Sequence, residues 1–201
     1  MKEVLETESL FCDPLTGLYD QYYYPELKVT NNIKWLRGMG WAAIGIVNIL
    51  SELPEDHPGY DKVLRIYQKM VIAVSAYQTE SGLWRHLVDR SDIYVETSGS
   101  TYIVYAIAKG INDGLLDPIY RDVAMAGWRG IESMQDENGN IKNVTPGVSG
   151  STSPSYYFST SFDEANTHFY GPLFLAGTEM MKLYRKYDKP KVRGWQLYPK
   201  D

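Results

Sequence analysis

The sequence WLRGMGW, from Trp35 to Trp41, contains the clearest candidate for binding chemistry in the chain. Arg37 stands there between two tryptophans and beside glycines, just before an apolar stretch that is typical of a buried helix. A guanidinium in such a place suits a ligand carboxylate, because the two groups pair in two-pronged geometry. The alternative interpretation is a structural pairing of Arg37 with a buried acid such as Glu96.

Aromatic residues are frequent, with 5 Trp, 17 Tyr and 5 Phe making up 13% of the chain. Flat aromatic rings pack against the C–H faces of pyranose sugars, and sugar-binding clefts use them for this reason. Trp35 and Trp41 flank Arg37 and are candidates for stacking on a sugar ring, with one of the two expected in the core. Trp84 is a candidate for the cleft wall. Core packing is the alternative interpretation for each ring.

Two further candidates, Glu96 and His168, precede predicted helices. The carboxylate of Glu96 lies just ahead of a small-residue helix that starts near Ser98, where it would interact favourably with exposed backbone N–H groups. Two interpretations of Glu96 stay open, a helix cap and a contact with the ligand. His168 opens the last predicted helix, where it would either bind substrate or serve the structure.

Neither a metal nor a cofactor is expected. The three histidines lack metal-ligand spacing, and the scattered carboxylates do not form a calcium-binding loop. Cys12 is the only cysteine, which excludes an internal disulfide and a cysteine-based metal cluster.

The charge and hydropathy of the chain exclude two classes of partner. The 201 residues carry a formal net charge of -5 and no basic patch, which argues against nucleic-acid binding. The longest apolar stretch, about 41–50, is shorter than the roughly 20 residues that a membrane-spanning helix needs. The acidic N-terminus does not resemble an export signal. We therefore expect a cytoplasmic protein without a membrane partner, and the periplasm stays open if the native product is longer.

Helical periodicity dominates and predicts an all-α fold. Stretches that are apolar nearly all round alternate with amphipathic ones, which indicates inner and outer helices. We expect five or six helices in total, including those at about 41–53, 59–77, 98–111, 117–134 and 170–187.

The connections between these helices repeat a short signature in which an acid precedes a glycine and an apolar residue follows. The glycines are Gly17, Gly82 and Gly139, at intervals of 65 and 57 residues, and this repetition indicates a closed or stacked repeat architecture. Residues 142–167 form a long loop rich in Ser, Thr, Gly and Pro that either shapes the cleft or extends into solvent. Residues 188–201 form an irregular tail, and we treat 1–201 as one domain that is incomplete on its N-terminal side.

The sequence from Trp35 to Trp41 resembles the Trp-x-Arg-Gly-Asn-Gly-Trp element of glycoside hydrolase family 105, the unsaturated rhamnogalacturonyl hydrolases, which are related to the unsaturated glucuronyl hydrolases. Three further stretches agree in the same order, from about Asp13 to Tyr187: Gly82-Leu83-Trp84, Tyr94-x-Glu96-x-Ser98-Gly99-Ser100 and Ala106-x-Ala108-Lys109-Gly110-Ile111-Asn112-x-Gly114.

The resemblance implies an (α/α)6 toroid of six helical hairpins, of which this chain holds about half. It also implies a substrate from pectin, a rhamnogalacturonan-derived oligosaccharide that ends in a 4,5-unsaturated uronic acid. In this family an acid protonates the enol-ether double bond, water adds, and the hemiketal collapses to release the sugar. The candidates for substrate contact are Arg37, Trp35, Trp41, Trp84, Glu96 and His168, together with Met39 and Gln21 at positions that resemble the family's site.

The chain departs from the family pattern in three respects. The family's catalytic aspartate belongs to N-terminal hairpins that have no counterpart in the 34 residues before Trp35. Met39 replaces the usual asparagine, which removes a polar group from the cleft floor, and Gln21 occupies the place of a histidine. We therefore expect a protein that is inactive alone. Two other interpretations stay open. One is a non-catalytic carbohydrate-binding or interaction module that pairs through the open edge of the half-ring. The other is a toroid enzyme that acts on another glycan or a terpenoid.

Overall fold

The computed structural model describes residues 2–163 and 169–187. Seven α-helices account for most of this part, with one two-stranded antiparallel hairpin and one 3-10 turn, Pro118–Tyr120. In chain order the elements are α1 Lys2–Phe11, β1 Tyr23–Tyr24, β2 Val29–Thr30, α2 Leu36–Glu52, α3 Tyr60–Ser75, α4 Thr97–Asn112, α5 Arg121–Ser133, α6 Pro154–Phe158 and α7 Tyr170–Tyr187. Among these helices, none combines the length and the apolar character needed to cross a bilayer.

The helices form three hairpins, each made of an outer and an inner helix. The inner helices α2, α4 and α7 pack side by side with α4 in the middle, while the outer helices α1, α3 and α5 lie behind them. Helix α4 is enclosed, with 14 of its 16 residues buried, whereas α3 and α5 bury one face each. This is half of an α/α toroid, and the predicted fold class is confirmed.

The inner helices run parallel. Gly40 of α2 lies against Tyr102 of α4, and farther along Ser51 donates a hydrogen bond to the carboxylate of Asp113, just after α4, at 2.9 Å. The chain returns to the N-terminal end of α4 at residue 163, and α7 then reaches the C-terminal end of α4, where Asn112 donates to the Glu179 carboxylate at 2.8 Å. The N-terminal ends of the inner helices therefore lie together at one end of the half-ring.

Helix α2 begins at Leu36, five residues before the predicted start at 41. Glycines near the N-termini of α2 and α4 cause the difference, because they let the two helices approach closely. A Cβ on Gly40 would lie 2.6 Å from Tyr102, and one on Gly99 would lie 2.6 Å from Leu36. Helix packing therefore outweighs the low helix propensity of glycine here.

The repeated glycine signature forms the same kind of turn three times. Gly17, Gly82 and Gly139 have positive φ angles of 73°, 83° and 88°, which non-glycine residues rarely adopt. In each turn the glycine N–H donates to the backbone oxygen of the residue three or four positions earlier. Each turn follows an outer helix and leads into the connection to the next inner helix, so the predicted repeat is confirmed.

The long segment 142–163 packs against the half-ring. It contains the unpredicted helix α6, and Tyr157 of α6 is buried in a second small apolar cluster with Ile33, Leu87 and Ile93. Helix α1 is likewise absent from the predicted helices. The remainder of the predicted loop, the predicted tail 188–201 and His168 lie outside the described residues.

Candidate functional site

The connections that lead to the inner helices gather at the N-terminal ends of α2 and α4. A β-bridge joins Trp35 to Leu87, and Leu36 N–H donates to the carbonyl of His86 at 3.0 Å. The segment 142–163 attaches to the same place, since Thr97 N–H donates to the carbonyl of Asn143 at 2.9 Å. Residues that are far apart in the sequence are thereby brought to one end of the half-ring, which we call the connection end.

Arg37 lies in the first turn of α2 at the connection end and is only 6% exposed. Its Nη2 donates to Thr145 Oγ1 at 3.1 Å and also to the carbonyl of Pro146. The guanidinium carbon lies 5.3 Å from the centre of the Trp35 ring, a cation–π distance. The predicted neighbourhood of Arg37 and Trp35 is therefore present.

Glu96 caps α4, as the first of its two interpretations predicts. Its carboxylate accepts the backbone N–H of Ser98 at 3.2 Å and of Gly99 at 2.6 Å, and the Ser98 hydroxyl at 2.6 Å. Thr145 N–H donates to the same carboxylate at 3.2 Å. These four donors satisfy the buried carboxylate as a hydrogen-bond acceptor.

Thr145 stands between the two buried charges. Its hydroxyl accepts from Arg37 and lies 3.4 Å from Glu96 Oε1, within hydrogen-bond range of that oxygen. Within residues 2–163 and 169–187, no carboxylate forms an ion pair with Arg37. The alternative of a direct Arg37–Glu96 pair is therefore not what the structure shows, because a threonine of the long segment separates the two groups.

The three candidate tryptophans occupy different environments. Trp41 is 56% exposed and its ring lies 4.8 Å from that of Tyr102, so one face is available to a ligand. Trp35 is half-buried beside Arg37. The expectation that Trp84 walls the cleft is wrong, because this ring is completely buried and its Nε1 donates to the carbonyl of Val74 at 2.7 Å.

Met39 and Gln21 both line a cavity of about 160 Å³, together with Asp20 and Gly38. Met39 is buried, and its sulfur accepts the backbone N–H of Tyr19 at 3.4 Å. The Gln21 side chain contacts the long segment: its amide donates to the Val148 carbonyl at 3.3 Å, and its oxygen accepts from the Tyr157 hydroxyl. A substrate contact at either residue stays a prediction.

His86 is a residue of this site that the sequence patterns did not single out. It is completely buried among Trp35, Tyr94 and Tyr157, and its ring stacks on Tyr94 at 5.2 Å. Among the described residues, neither of its ring nitrogens has a hydrogen-bond partner. Burial, and then the positive charge of Arg37, lower the pKa of His86 to about 3. The sequence signal that could have identified His86 is its position between the Gly82 turn and Glu96.

Two buried charges of opposite sign act on Tyr94 at the connection end. Burial, and then the negative charge of Glu96, raise the pKa of the Tyr94 hydroxyl to about 12, while the Arg37 guanidinium acts to lower it. In the described parts of the chain, no group of three or more Asp, Glu, His or Cys side chains is arranged to hold a metal ion.

The chain is similar to known carbohydrate-active proteins over nearly its whole length. Residues 1–184 match the model of Glycosyl Hydrolase Family 88. An unsaturated 3S-rhamnoglycuronyl hydrolase of Alteromonas sp. (strain LOR) is 31% identical over 179 residues, which are 86% of this chain and 41% of that protein. A 24.9 kDa protein of the picA locus of Rhizobium radiobacter is 28% identical over 172 residues, covering 75% of this chain and 73% of that one.

A crystal structure of a possible member of the GH105 family from Salmonella enterica serovar Paratyphi A has the same fold, with a TM-score of 0.85 and 23% identity. That similarity covers 91% of this chain and 49% of the other. The chain thus spans about two fifths of the Alteromonas relative and about half of the crystal structure. The chain belongs to glycosyl hydrolase family 88 and has the helical architecture of the family 105 enzymes, as the motif around Arg37 predicts.

Proposed function

We propose that this chain carries the uronate-binding part of a hydrolase for unsaturated uronyl oligosaccharides, such as those from rhamnogalacturonan. The reaction is hydration of the 4,5 double bond, followed by collapse of the hemiketal. The observation that carries the proposal is the buried guanidinium of Arg37, which has hydroxyl and carbonyl partners but no carboxylate partner within the described chain.

A buried guanidinium that forms no ion pair among the described residues favours an anionic ligand. Arg37 donates from Nη2 to two neutral acceptors, the Thr145 hydroxyl and the Pro146 carbonyl. A uronate carboxylate can accept two parallel hydrogen bonds from one guanidinium, and its negative charge would balance the positive charge of Arg37. The neighbouring indoles of Trp35 and Trp41 supply the aromatic surface that a sugar ring needs.

The catalytic acid belongs, in this proposal, to the part of the toroid that the chain lacks. The carboxylates of Glu96 and Asp20 have structural partners instead: Glu96 caps α4, and Asp20 accepts from Lys34 at 2.5 Å. The cavity of about 160 Å³ beside Met39 is also smaller than the roughly 300–1,000 Å³ of typical ligand pockets. We therefore propose that the chain is inactive alone.

A non-catalytic sugar-binding or interaction module is the second candidate. It is favoured by the exposed flanks of the half-ring, where Trp41 and Phe174 stand largely in solvent. Such apolar surfaces usually belong to an interface, and we propose that the half-ring pairs through its open edges with itself or with another chain.

One experiment tests the site and separates the candidates. An unsaturated uronyl disaccharide is titrated into the chain by calorimetry, and loss of the double bond's ultraviolet absorbance is followed with the chain alone and with the N-terminal half of a related enzyme added. We expect binding in both cases and turnover only in the mixture. Binding without turnover in either case would favour the non-catalytic module.

Arg37→Lys is the informative variant, because it keeps the positive charge and removes the two-pronged geometry. We expect binding about 10- to 100-fold weaker, since a charge-assisted hydrogen bond contributes roughly 1.5–3 kcal/mol. Arg65→Ala, which removes an exposed arginine of α3, is the matched control and should bind normally. Unchanged binding by Arg37→Lys would contradict the proposed site.

A further inference from the structure

We infer that a second copy of this chain covers both open flanks of the half-ring, with α2 of each copy packed against α7 of the other, so that two copies close a ring of six hairpins. This inference deepens the pairing proposed above by naming the partner, the helices and their register. It rests on the exposed flanks of the two outermost inner helices and on how their shapes match.

Helix α4 shows what an inner helix looks like when both of its neighbours are present. It lies between α2 and α7, and 14 of its 16 residues are buried. Helices α2 and α7 each have α4 on one side only, and each keeps an exposed stripe on the other. The two exposed stripes are therefore the positions where further inner helices would pack.

The stripe on α2 is narrow and contains a hollow. It runs through Gly45 and Ile49, four residues apart, which places both on one side of the helix. Both are exposed, and a Cβ added to Gly45 would meet no atom within 4 Å. Glycine in the middle of a helix is less favourable than alanine, and no contact among the described residues requires it at this position.

The stripe on α7 is bulky. Phe174 is 71% exposed, and Met181, seven residues later on the same side of the helix, is 55% exposed. Large apolar side chains are rarely presented to water as a continuous helix face unless a partner covers them. The stripe on α7 can supply the projecting side chains that the glycine on α2 leaves room for.

The register of the inner helices places these features opposite each other. Ser51 of α2 is level with Asp113 at the end of α4, and Asn112 of α4 is level with Glu179 of α7. Residue 50 of α2 therefore stands at the height of residue 179 of α7. At the same height across a closed ring, Phe174 of the partner subunit lies over Gly45.

Charge is complementary at the same contact. Glu52, exposed at the end of α2, stands near the height of the exposed basic side chains Lys182 and Arg185 on the partner's α7. In the dimer, α2 of each copy contacts α7 of the other, and a two-fold axis relates these two contacts. The interface is therefore closed and self-complementary, as in most homodimers.

The first test is the mass of the full chain in solution, measured by sedimentation or light scattering at several concentrations. We expect a dimer of the 22.9 kDa chain. Phe174→Glu should convert it to a monomer with an unchanged circular dichroism spectrum, because this side chain is largely in solvent within one copy. Ile119→Glu, at an equally exposed apolar position away from both stripes, should remain dimeric.

Cross-linking tests the register. In a Cys12→Ser background, the double variant with Gly45→Cys and Phe174→Cys should form a disulfide-linked dimer on air oxidation, visible on a non-reducing gel. Either single substitution should leave the chain largely uncross-linked, because residue 45 faces residue 174 and not itself.

Three outcomes would overturn the inference: a monomer at all concentrations, a dimer that persists in Phe174→Glu, or a chain that stays monomeric and binds the N-terminal half of a related enzyme instead. The proposed function fails in a different way. A dimer that does not bind the uronyl disaccharide would support this inference and contradict the site at Arg37. A monomer that binds the disaccharide would support the site and contradict this inference.

Discussion

Acid should destabilise this protein through His86. The folded chain holds this imidazole neutral, with a pKa of about 3, because the ring is buried and lies near Arg37. In the unfolded chain a histidine binds a proton below its ordinary pKa of about 6.5. The unfolded state therefore takes up a proton that the folded state excludes, and stability falls as the pH drops from 6.5 towards 3.

The size of the effect follows from the two pKa values. One pKa unit corresponds to about 1.36 kcal/mol, so lowering the pH from 7.5 to 5 should reduce the free energy of unfolding by about 2 kcal/mol through His86 alone. Other groups titrate in the same range, and a comparison with a variant isolates this contribution. His86→Leu suits the purpose, because neither imidazole nitrogen has a partner to lose in the described structure.

The assay is urea denaturation at pH 7.5 and pH 5, at one fixed protein concentration because self-association would shift the apparent stability. We expect the original chain to lose about 2 kcal/mol more than His86→Leu between these two pH values. His57→Leu, which replaces an exposed histidine in a turn, should behave like the original chain. An equal pH dependence of the original chain and His86→Leu would refute the reasoning.

Two further substitutions test the packing of α4. Glu96→Gln replaces an acceptor surrounded by donors, and it should lower the free energy of unfolding by about 2–3 kcal/mol in urea denaturation, whereas the exposed Glu80→Gln should change it little. Equal effects of the two would mean that the buried carboxylate does not stabilise the helix start. Gly110→Ala places a Cβ 1.9 Å from the Tyr67 hydroxyl and should cost about 2–3 kcal/mol by overpacking, while Gly147→Ala meets no atom within 4 Å. A melting temperature for Gly110→Ala equal to that of Gly147→Ala would contradict the close packing of α3 and α4.

The predicted helices and turns followed from local patterns. The inner helix α4 was recognisable because apolar and small residues surround it, and the outer helix α3 because its apolar residues recur on one face. Gly17, Gly82 and Gly139 were recognisable because a turn with positive φ favours glycine. The start of α2 was misplaced, since only the contact between Gly40 and Tyr102 explains why a helix continues through glycines.

The candidate site was predictable in its residues and not in its pairings. The motif around Arg37 identified the family, and the prediction of a cap at Glu96 was one of two open interpretations. Trp84 was misread, because a tryptophan in a loop signature looks the same whether its ring faces a cleft or the core. His86 passed unnoticed, because its significance comes from the aromatic rings that enclose it.

The sequence by itself determined the helical class, the repeated turns and the family, because these depend on residues within a few positions of one another. The tertiary structure decided which charges meet. Arg37 and Thr145 are 108 residues apart, and Glu96 and Thr145 are 49 apart, yet one hydroxyl contacts both charges. Burial and electrostatics depend on distance in space, and only the folded arrangement of the three hairpins and the long segment sets that distance.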